Sequence, residues 1–147
     1  MKKIKFYIII FSLIFICNSL KAEIQFSLKS YLDKENIEET STQIYLLNRC
    51  SAIYVYSSAI ILKSDIVNSK KFIEIANNLL FKSVELKIID NEEKLENARK
   101  EAEEEREKIF LDYTSEGKIN WNRNKSYFKG SYISEDMSIC TKLVNDK

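Results

Sequence analysis

The sequence predicts an all-α fold, an antiparallel bundle of about four helices in which a disulfide ties the first and last core helices together. The chain contains no proline and only two glycines, so few of its residues favour turns or end helices. Apolar residues recur at spacings of three and four over most of the chain beyond residue 40. Two cysteines, Cys50 and Cys140, fall on the apolar sides of two predicted helices.

Residues 1–22 have the pattern of a secretory signal peptide. Three of the first five residues are lysine. The apolar run over residues 6–16 is about 11 residues long, within the ~7–15 of a signal core and short of the ~18 that span a bilayer. We therefore expect export to the periplasm of a Gram-negative-type bacterium, or secretion. The alternative is an inner-membrane-anchored protein whose N-terminal helix stays uncleaved.

The rest of the chain divides into an arm and a domain. Residues 23–40 scatter apolar residues among charges and are predicted to be an irregular N-terminal arm, and residues 41–147 to be a single helical domain. Four of the 23 lysines and arginines lie in the leader, which leaves 19 against 22 acidic residues. Because the exported chain lacks a basic excess, we expect no nucleic acid partner.

The most apolar segment after the leader, residues 41–63, is predicted to be the central core helix. Its uncharged stretch over residues 50–62 is about 13 residues long, fewer than the ~20 that a membrane-spanning helix needs. We expect a buried helix here and not a second membrane span.

Two helices are predicted next, over about residues 69–89 and 92–113. Asp90 and Glu93 have the spacing of a helix cap and indicate a break near residue 90, whereas one unbroken helix is the alternative. The second of these helices pairs glutamate with lysine four residues later and has only a narrow apolar stripe. We expect the central helix to pack on the first of them and on the last helix, with the charged helix crossing outside.

Gly117 is predicted to end the charged helix, and residues 118–126 to form a loop. Aromatic residues alternate with basic ones over residues 121–132, a pattern that can stack on single-stranded nucleic acid or glycans. Because the exported chain is acidic, we instead expect these aromatic side chains to pack against the bundle and hold the segment in place. The last helix begins near Ser134, whose hydroxyl can cap it, and places Cys140 on its apolar face.

Cys50 and Cys140 are the only cysteines that remain after the leader. In an exported chain, two cysteines on the core sides of their helices most simply form one disulfide. A bond that closes about 90 residues stabilises by roughly 4–5 kcal/mol in the chain-entropy model. The pair lacks the two-residue spacing of redox-active thiols, so we expect a structural bond.

Tyr45, Arg49 and Tyr56 form a possible binding face on the central helix. Arg49 follows Tyr45 by one helical turn, so its guanidinium can lie against the ring and present a cationic, aromatic strip to an anionic group. The alternative is an ordinary wet side of the helix, with the alkyl stem of Arg49 covering apolar surface. On the binding hypothesis, Arg49→Ala leaves the fold intact and abolishes binding.

Composition argues against an enzyme. The chain has no histidine, which excludes an imidazole base, a histidine-activated nucleophile and a histidine metal ligand. Three consecutive glutamates, Glu103, Glu104 and Glu105, do not converge on one cation because adjacent side chains on a helix point in different directions. We expect no catalytic residue, no metal and no cofactor.

The leading functional hypothesis is a small non-enzymatic envelope protein that binds another protein of the cell envelope. In outline, as a small exported helical domain with one disulfide between Cys50 and Cys140, the chain resembles periplasmic acid-stress chaperones. That resemblance implies a chaperone or stress-protective role as the alternative. It assigns no role to any single residue, because the two share no local motif.

Overall fold

The computed structural model of the protein describes residues 27–145, which contain five helices packed together and no β-strand. The helices are α1 (Leu28–Leu32), α2 (Thr40–Ile61), α3 (Ile66–Asn91), α4 (Leu95–Asn124) and α5 (Tyr132–Asn145). The predicted all-α bundle is confirmed. The signal peptide predicted for residues 1–22 lies outside the described residues.

Helix α2 is the centre of the bundle and packs against each of the other four described helices. Small residues let α3 approach it closely, and the hydroxyls of Ser51 and Ser58 donate to the carbonyls of Ala76 and Ser69 at 2.7 and 3.0 Å. By length and composition α2 is apolar enough to cross a membrane, but 67% of its most apolar window is buried inside the bundle. The core therefore accounts for its apolar character, as the sequence predicts.

The contacts of α2 fix the directions of its neighbours. Helix α3 is antiparallel to α2, because Ser51 meets Ala76 whereas the later Ser58 meets the earlier Ser69. Helix α4 runs parallel to α2, because Asn48 bonds Glu105 at 2.6 Å and the later Tyr56 abuts the later Gly117. The C-terminal ends of α2 and α4 and the N-terminal end of α3 therefore lie at the same end of the bundle.

The break between the second and third long helices is confirmed. Helix α3 ends at Asn91, and Glu92 adopts a left-handed conformation with φ 52°. Helix α4 begins three residues later at Leu95, so the alternative of one unbroken helix is wrong.

The prediction that Gly117 ends the charged helix is wrong, since α4 continues to Asn124. Gly117 lies inside α4 at a close approach to α2, where a Cβ atom would overlap the hydroxyl of Tyr56. The actual end is at Lys125, which has φ 54° and donates its N–H to the carbonyl of Trp121 at 2.9 Å. Glycine serves close packing here, and a lysine takes the left-handed position that often falls to glycine.

Two further expectations need correction. The charged helix does not simply cross outside, because Ala98, Ala102, Ile109 and Tyr113 bury one stripe of α4 against α2 and α3. The N-terminal arm is not irregular throughout, because residues 28–32 form helix α1, capped by the hydroxyl of Ser27.

Helix α5 begins at Tyr132, two residues before the predicted start at Ser134. The hydroxyl of Ser131 accepts the N–H of Ile133 at 3.3 Å, so it takes the role expected of Ser134. Ile133 and Cys140 are fully buried, as the predicted apolar face requires.

Candidate functional site

The disulfide between Cys50 and Cys140 is present, with the two Cα atoms 5.3 Å apart and a sequence separation of 90. It joins α2 to α5, as predicted, and both cysteines are fully buried. Burial shields the sulfurs from solvent and from thiol reagents. The geometry thus supports a structural bond.

A buried ion pair lies beside the disulfide. Arg49 of α2 donates to Oδ2 of Asp136 on α5 from both Nε, at 2.8 Å, and Nη2, at 2.6 Å. Asp136 is fully buried and Arg49 is 3% exposed. Because Arg49 precedes Cys50 and Asp136 lies one turn before Cys140, the ionic and covalent links cross the same helix interface one after the other.

Asp136 draws four elements together. Its second oxygen, Oδ1, accepts the backbone N–H of Leu28 at the start of α1 at 2.6 Å. Its Oδ2 also accepts the hydroxyl of Tyr113 on α4 at 2.7 Å. The carboxylate on α5 therefore binds α1, α2 and α4 at once, which compensates for the loss of its hydration.

Tyrosine rings enclose the guanidinium of Arg49. Its Cζ lies 5.9, 5.6 and 5.7 Å from the ring centroids of Tyr45, Tyr113 and Tyr132. The hydroxyl of Tyr45 also accepts from Nη1 at 2.6 Å. These distances are within the range of cation–π attraction.

The surroundings shift the pKa values of these groups. Burial raises the pKa of Tyr113 well above its ordinary value, with Arg49 opposing and Asp136 adding to the effect. Burial also raises the pKa of Tyr132. Burial acts to lower the pKa of Arg49, but Tyr113 and Asp136 outweigh it and the guanidinium stays charged. The cluster is a buried guanidinium–carboxylate pair enclosed by tyrosine rings.

The predicted binding face is not a solvent-exposed strip. Arg49 and Tyr56 are each 3% exposed, and Tyr45 is half-buried. Tyr56 donates to the carbonyl of Tyr127 at 3.2 Å and packs edge-on against the ring of Phe128. The prediction that these side chains present an open cationic strip is wrong, because α2 is surrounded by other helices and has no wet side along this stretch.

Sequence reasoning missed Asp136 as the partner of Arg49. The sequence offered one indication of this pairing, namely the spacing of each charged residue from a cysteine. Arg49 adjoins Cys50, and Asp136 precedes Cys140 by four residues, or about one helical turn. A disulfide between those cysteines places the two charges on facing helices.

The three consecutive glutamates of α4 point to different partners. Glu103 bonds Arg99 at 2.8 Å, Glu104 lies 3.9 Å from Lys100, and Glu105 accepts from Asn48 at 2.6 Å. Within residues 27–145, no three acidic or cysteine side chains come together in a way that could hold a metal ion.

An open groove lies between α3 and α4, away from the buried cluster. Leu80 and Val84 form its floor, and its volume is about 940 Å³. Phe81 on α3 and Leu95 on α4 border it with 61% of each side chain exposed. Exposed large apolar residues beside a concave surface mark a binding site more often than isolated ones do. We call this feature the α3/α4 groove.

Charges of both signs form the rim of the α3/α4 groove. Arg99 pairs with Glu103, and Arg106 donates to the side-chain carbonyl of Asn77 across the groove at 3.4 Å. Arg99 and Glu103 keep 70% and 42% of their side chains exposed, so this pair remains available to a partner. Sequence reasoning missed Phe81, although its position off the apolar arc of its helix was a signal.

Comparison with known proteins adds no relationship to this description. No protein-family model, curated protein or solved structure matches the chain. The function must therefore be argued from the geometry alone.

Proposed function

We propose that the protein is a small exported, non-enzymatic binding protein that docks an α-helix of another cell-envelope protein in the α3/α4 groove. The observation that carries the proposal is the exposure of Phe81 and Leu95 on opposite walls of one groove with an apolar floor. A groove between two helices suits an amphipathic helix, whose apolar residues one turn apart enter it.

The wall residues support this assignment. Those of α3 are Asn77, Leu80, Phe81 and Val84, and those of α4 are Leu95, Glu96, Arg99, Lys100, Glu103 and Arg106. Both sets recur at helical spacing, so each wall is one face of a helix over several turns. Because the backbone of both walls is already helical before binding, a partner does not have to order it. A partner helix with large apolar anchors flanked by mixed charges complements it.

The buried cluster supports a scaffold role in place of a catalytic one. Arg49 and Asp136 pair with each other, and with side-chain exposures of 4% and 0% they offer a substrate almost no accessible surface. The disulfide fits an oxidising, extracytoplasmic compartment, as does the leader pattern. The mass of the protein recovered from the cell envelope tests whether the leader is removed or remains as an anchor.

The test compares two leucines of α4. Leu95 borders the groove and is 61% exposed, whereas Leu111 lies outside it and is 57% exposed. Protein carrying Leu95→Asp or Phe81→Asp is compared with wild type and with Leu111→Asp in quantitative capture from the envelope fraction. We expect one partner to be retained by wild type and by Leu111→Asp and lost from both groove variants.

Binding is then measured with the purified partner, where we expect at least a tenfold weaker affinity for Phe81→Asp, since a lost aromatic anchor costs about 1.4 kcal/mol or more. Capture that is equal for all four proteins would contradict the groove assignment. A broad set of unfolded clients, together with dye binding that rises as the pH falls, would favour the chaperone alternative.

A further inference from the structure

We infer that the end of the bundle opposite the acidic helix termini is a docking surface for an anionic phospholipid membrane. This basic end comprises two segments: the α2/α3 turn with its flanks, residues 62–71, and the C-terminal part of α4 with the following loop, residues 117–130. The assignment is independent of the α3/α4 groove and of the partner proposed for it.

The two segments lie together. Tyr56 of α2 abuts Gly117 of α4 and donates to the carbonyl of Tyr127. Beyond that contact the parallel helices α2 and α4 run on in the same direction to Ile61 and Asn124, about 8 and 10 Å further at 1.5 Å per residue. The α2/α3 turn and the end of α4 therefore share one end of the bundle.

Charge is strongly segregated between the two ends. The basic end contains seven lysines and arginines and one acidic residue, Asp65. Asp65 is already engaged as the cap of α3, since its carboxylate accepts from the backbone and side chain of Asn68. The seven basic residues are all exposed: Lys63, Lys70, Lys71, Lys118, Arg123, Lys125 and Lys129.

The other end is acidic. Residues 33–39, which lead into α2, and residues 90–107, which include the C-terminus of α3 and the N-terminus of α4, hold thirteen acidic residues against five basic ones. An anionic surface attracts the first end and repels the second, so the field orients the molecule with its basic end towards the surface. A mildly acidic chain can thus bind an anionic surface through one end.

Apolar side chains project from the basic end. Leu62, Ile66 and Val67 of the α2/α3 turn are 52%, 58% and 66% exposed. Trp121 near the end of α4 is 42% exposed and stacks on Tyr127, with the ring centroids 4.6 Å apart. Aliphatic residues on a protruding turn enter the lipid headgroup region, and tryptophan and tyrosine favour that interface.

This combination favours lipid over an acidic protein or a nucleic acid. Each lysine or arginine near an anionic membrane contributes about 1 kcal/mol, and the apolar turn adds an insertion term that a purely ionic partner does not use. Phosphate oxygens of any source satisfy lysines, but a nucleic acid backbone offers no apolar layer, whereas a bilayer accommodates three exposed aliphatic side chains on one turn directly beneath its anionic headgroups.

Trp121 is the only tryptophan of the chain and reports on the interaction directly. The chain from residue 23, which retains every described helix, is mixed with vesicles of phosphatidylethanolamine and phosphatidylglycerol in equal parts, or of phosphatidylcholine alone. We expect co-sedimentation and a blue-shifted Trp121 emission with the anionic vesicles only, both reversed by high salt. No sedimentation and no emission shift with anionic vesicles would overturn the inference.

A matched pair of charge reversals localises the surface. Arg123→Glu with Lys125→Glu alters the basic end, and Lys82→Glu with Lys94→Glu makes the same charge change at two exposed lysines outside both the basic end and the α3/α4 groove. We expect the first variant to bind anionic vesicles at least tenfold more weakly, at about 1 kcal/mol per basic residue, and the second to bind like wild type.

Equal weakening by both reversals would overturn the localisation. Binding to soluble polyglutamate, with no shift of Trp121 emission on vesicles, would show that the basic end binds an acidic polymer and not a membrane. Circular dichroism and the denaturation midpoint of each variant establish that it is folded, so a loss of binding is not a loss of structure.

Discussion

Different interactions hold two regions of the bundle together. In the cross-linked half, formed by α1, α2, α5 and the second half of α4, a disulfide and a buried ion pair bridge α2 and α5 within one helical turn. In the hairpin half, where the end of α3 meets the start of α4, the buried apolar cluster is only Leu80, Val84, Ala98 and Ala102.

This difference indicates how stability and binding are divided. Two ion pairs of the hairpin half, Arg99 with Glu103 and Lys100 with Glu104, are solvent-exposed and contribute little. A third, Lys87 with Glu101, has a mostly buried lysine but an exposed glutamate. Local opening therefore requires less free energy there than in the cross-linked half. The proposed α3/α4 groove lies in this softer half, where exposed apolar side chains can adapt to a partner.

Removing the disulfide is expected to have the largest effect. Cys50→Ala with Cys140→Ala frees a loop that spans 90 residues, and the chain-entropy model gives a loss of about 4–5 kcal/mol in the free energy of unfolding. Urea denaturation of the variant and of wild type measures the loss, and wild type unfolded with a reductant present should match the variant. An unchanged midpoint would contradict a dominant role for the covalent link.

Breaking the buried ion pair is expected to have the second-largest effect on stability. Arg49→Met leaves the fully buried carboxylate of Asp136 without its cation, and we expect a loss of about 3–5 kcal/mol. The matched control, Arg99→Gln, breaks an exposed pair in the hairpin half and should cost less than about 1 kcal/mol. Equal losses in the two variants would refute the distinction between the halves. The structure thus reverses the expectation that Arg49→Ala leaves the fold intact.

Alkaline pH should destabilise the cross-linked half through its tyrosines. Burial raises the pKa of Tyr56 to about 12 and raises the pKa values of Tyr113 and Tyr132 as well. The folded state then holds protons that the unfolded state releases above pH ~10, so stability is complete below that pH and falls as the pH rises, by up to about 1.4 kcal/mol per pH unit for each such tyrosine.

Phenolate absorbance during an alkaline titration measures this effect. We expect the buried tyrosines of the cluster to titrate only together with unfolding, which circular dichroism follows. Simple titration of all tyrosines in a chain that stays folded would show that the rings of the cluster are accessible to solvent.

Adding a methyl group at Gly117 should have a smaller effect. Gly117→Ala places a Cβ atom against the hydroxyl of Tyr56, and α2 or the ring must shift. Overpacking of this kind costs about 1–3 kcal/mol, more than the better helix propensity of alanine returns. Gly117→Ala combined with Tyr56→Phe removes the nearest overlapping atom but leaves the ring carbon Cζ 2.9 Å from the new methyl carbon, so it should recover part of the lost stability in thermal denaturation. A single variant more stable than wild type would indicate that the helices are not in close contact.

The sequence predicted the elements better than it predicted their surroundings. Periodicity located α2 and the apolar face with Cys140, because local patterns determine which residues of a helix are apolar, and the cap-like spacing of Asp90 and Glu93 located the break near residue 90. It did not predict the burial of Arg49, because a charged side chain on a helix looks solvent-facing until its partner is known. That partner, Asp136, lies 87 residues away in the chain.

Gly117 and Phe81 illustrate the same limit. A glycine near a helix end reads as a stop signal, yet Gly117 serves a contact with Tyr56 that only the tertiary fold creates. Phe81 lies off the apolar arc of α3, and only the position of α4 turns it into the wall of a groove. Both roles depend on which helices become neighbours, and helical spacing alone does not determine that.

The smallest expected effect is a stabilisation, and it compares the two halves directly. Glu92 and Lys125 each follow a helix with a left-handed backbone, at φ 52° and 54°. That conformation costs a residue with a side chain about 1–2 kcal/mol, whereas glycine adopts it freely but loses more entropy on folding. Glu92→Gly and Lys125→Gly should therefore each gain at most about 1 kcal/mol.

The place at which each glycine substitution stabilises the protein distinguishes the two halves. If the hairpin half opens locally, Glu92→Gly slows hydrogen exchange of nearby amides in α3 and α4 and leaves the exchange around Asp136 unchanged. Lys125→Gly, at the end of α4 that packs on the cross-linked half, should instead raise the global denaturation midpoint slightly. If Glu92→Gly raised the global midpoint as much, the two halves would unfold as one unit, and the softness inferred for the groove would not distinguish it from the rest of the bundle.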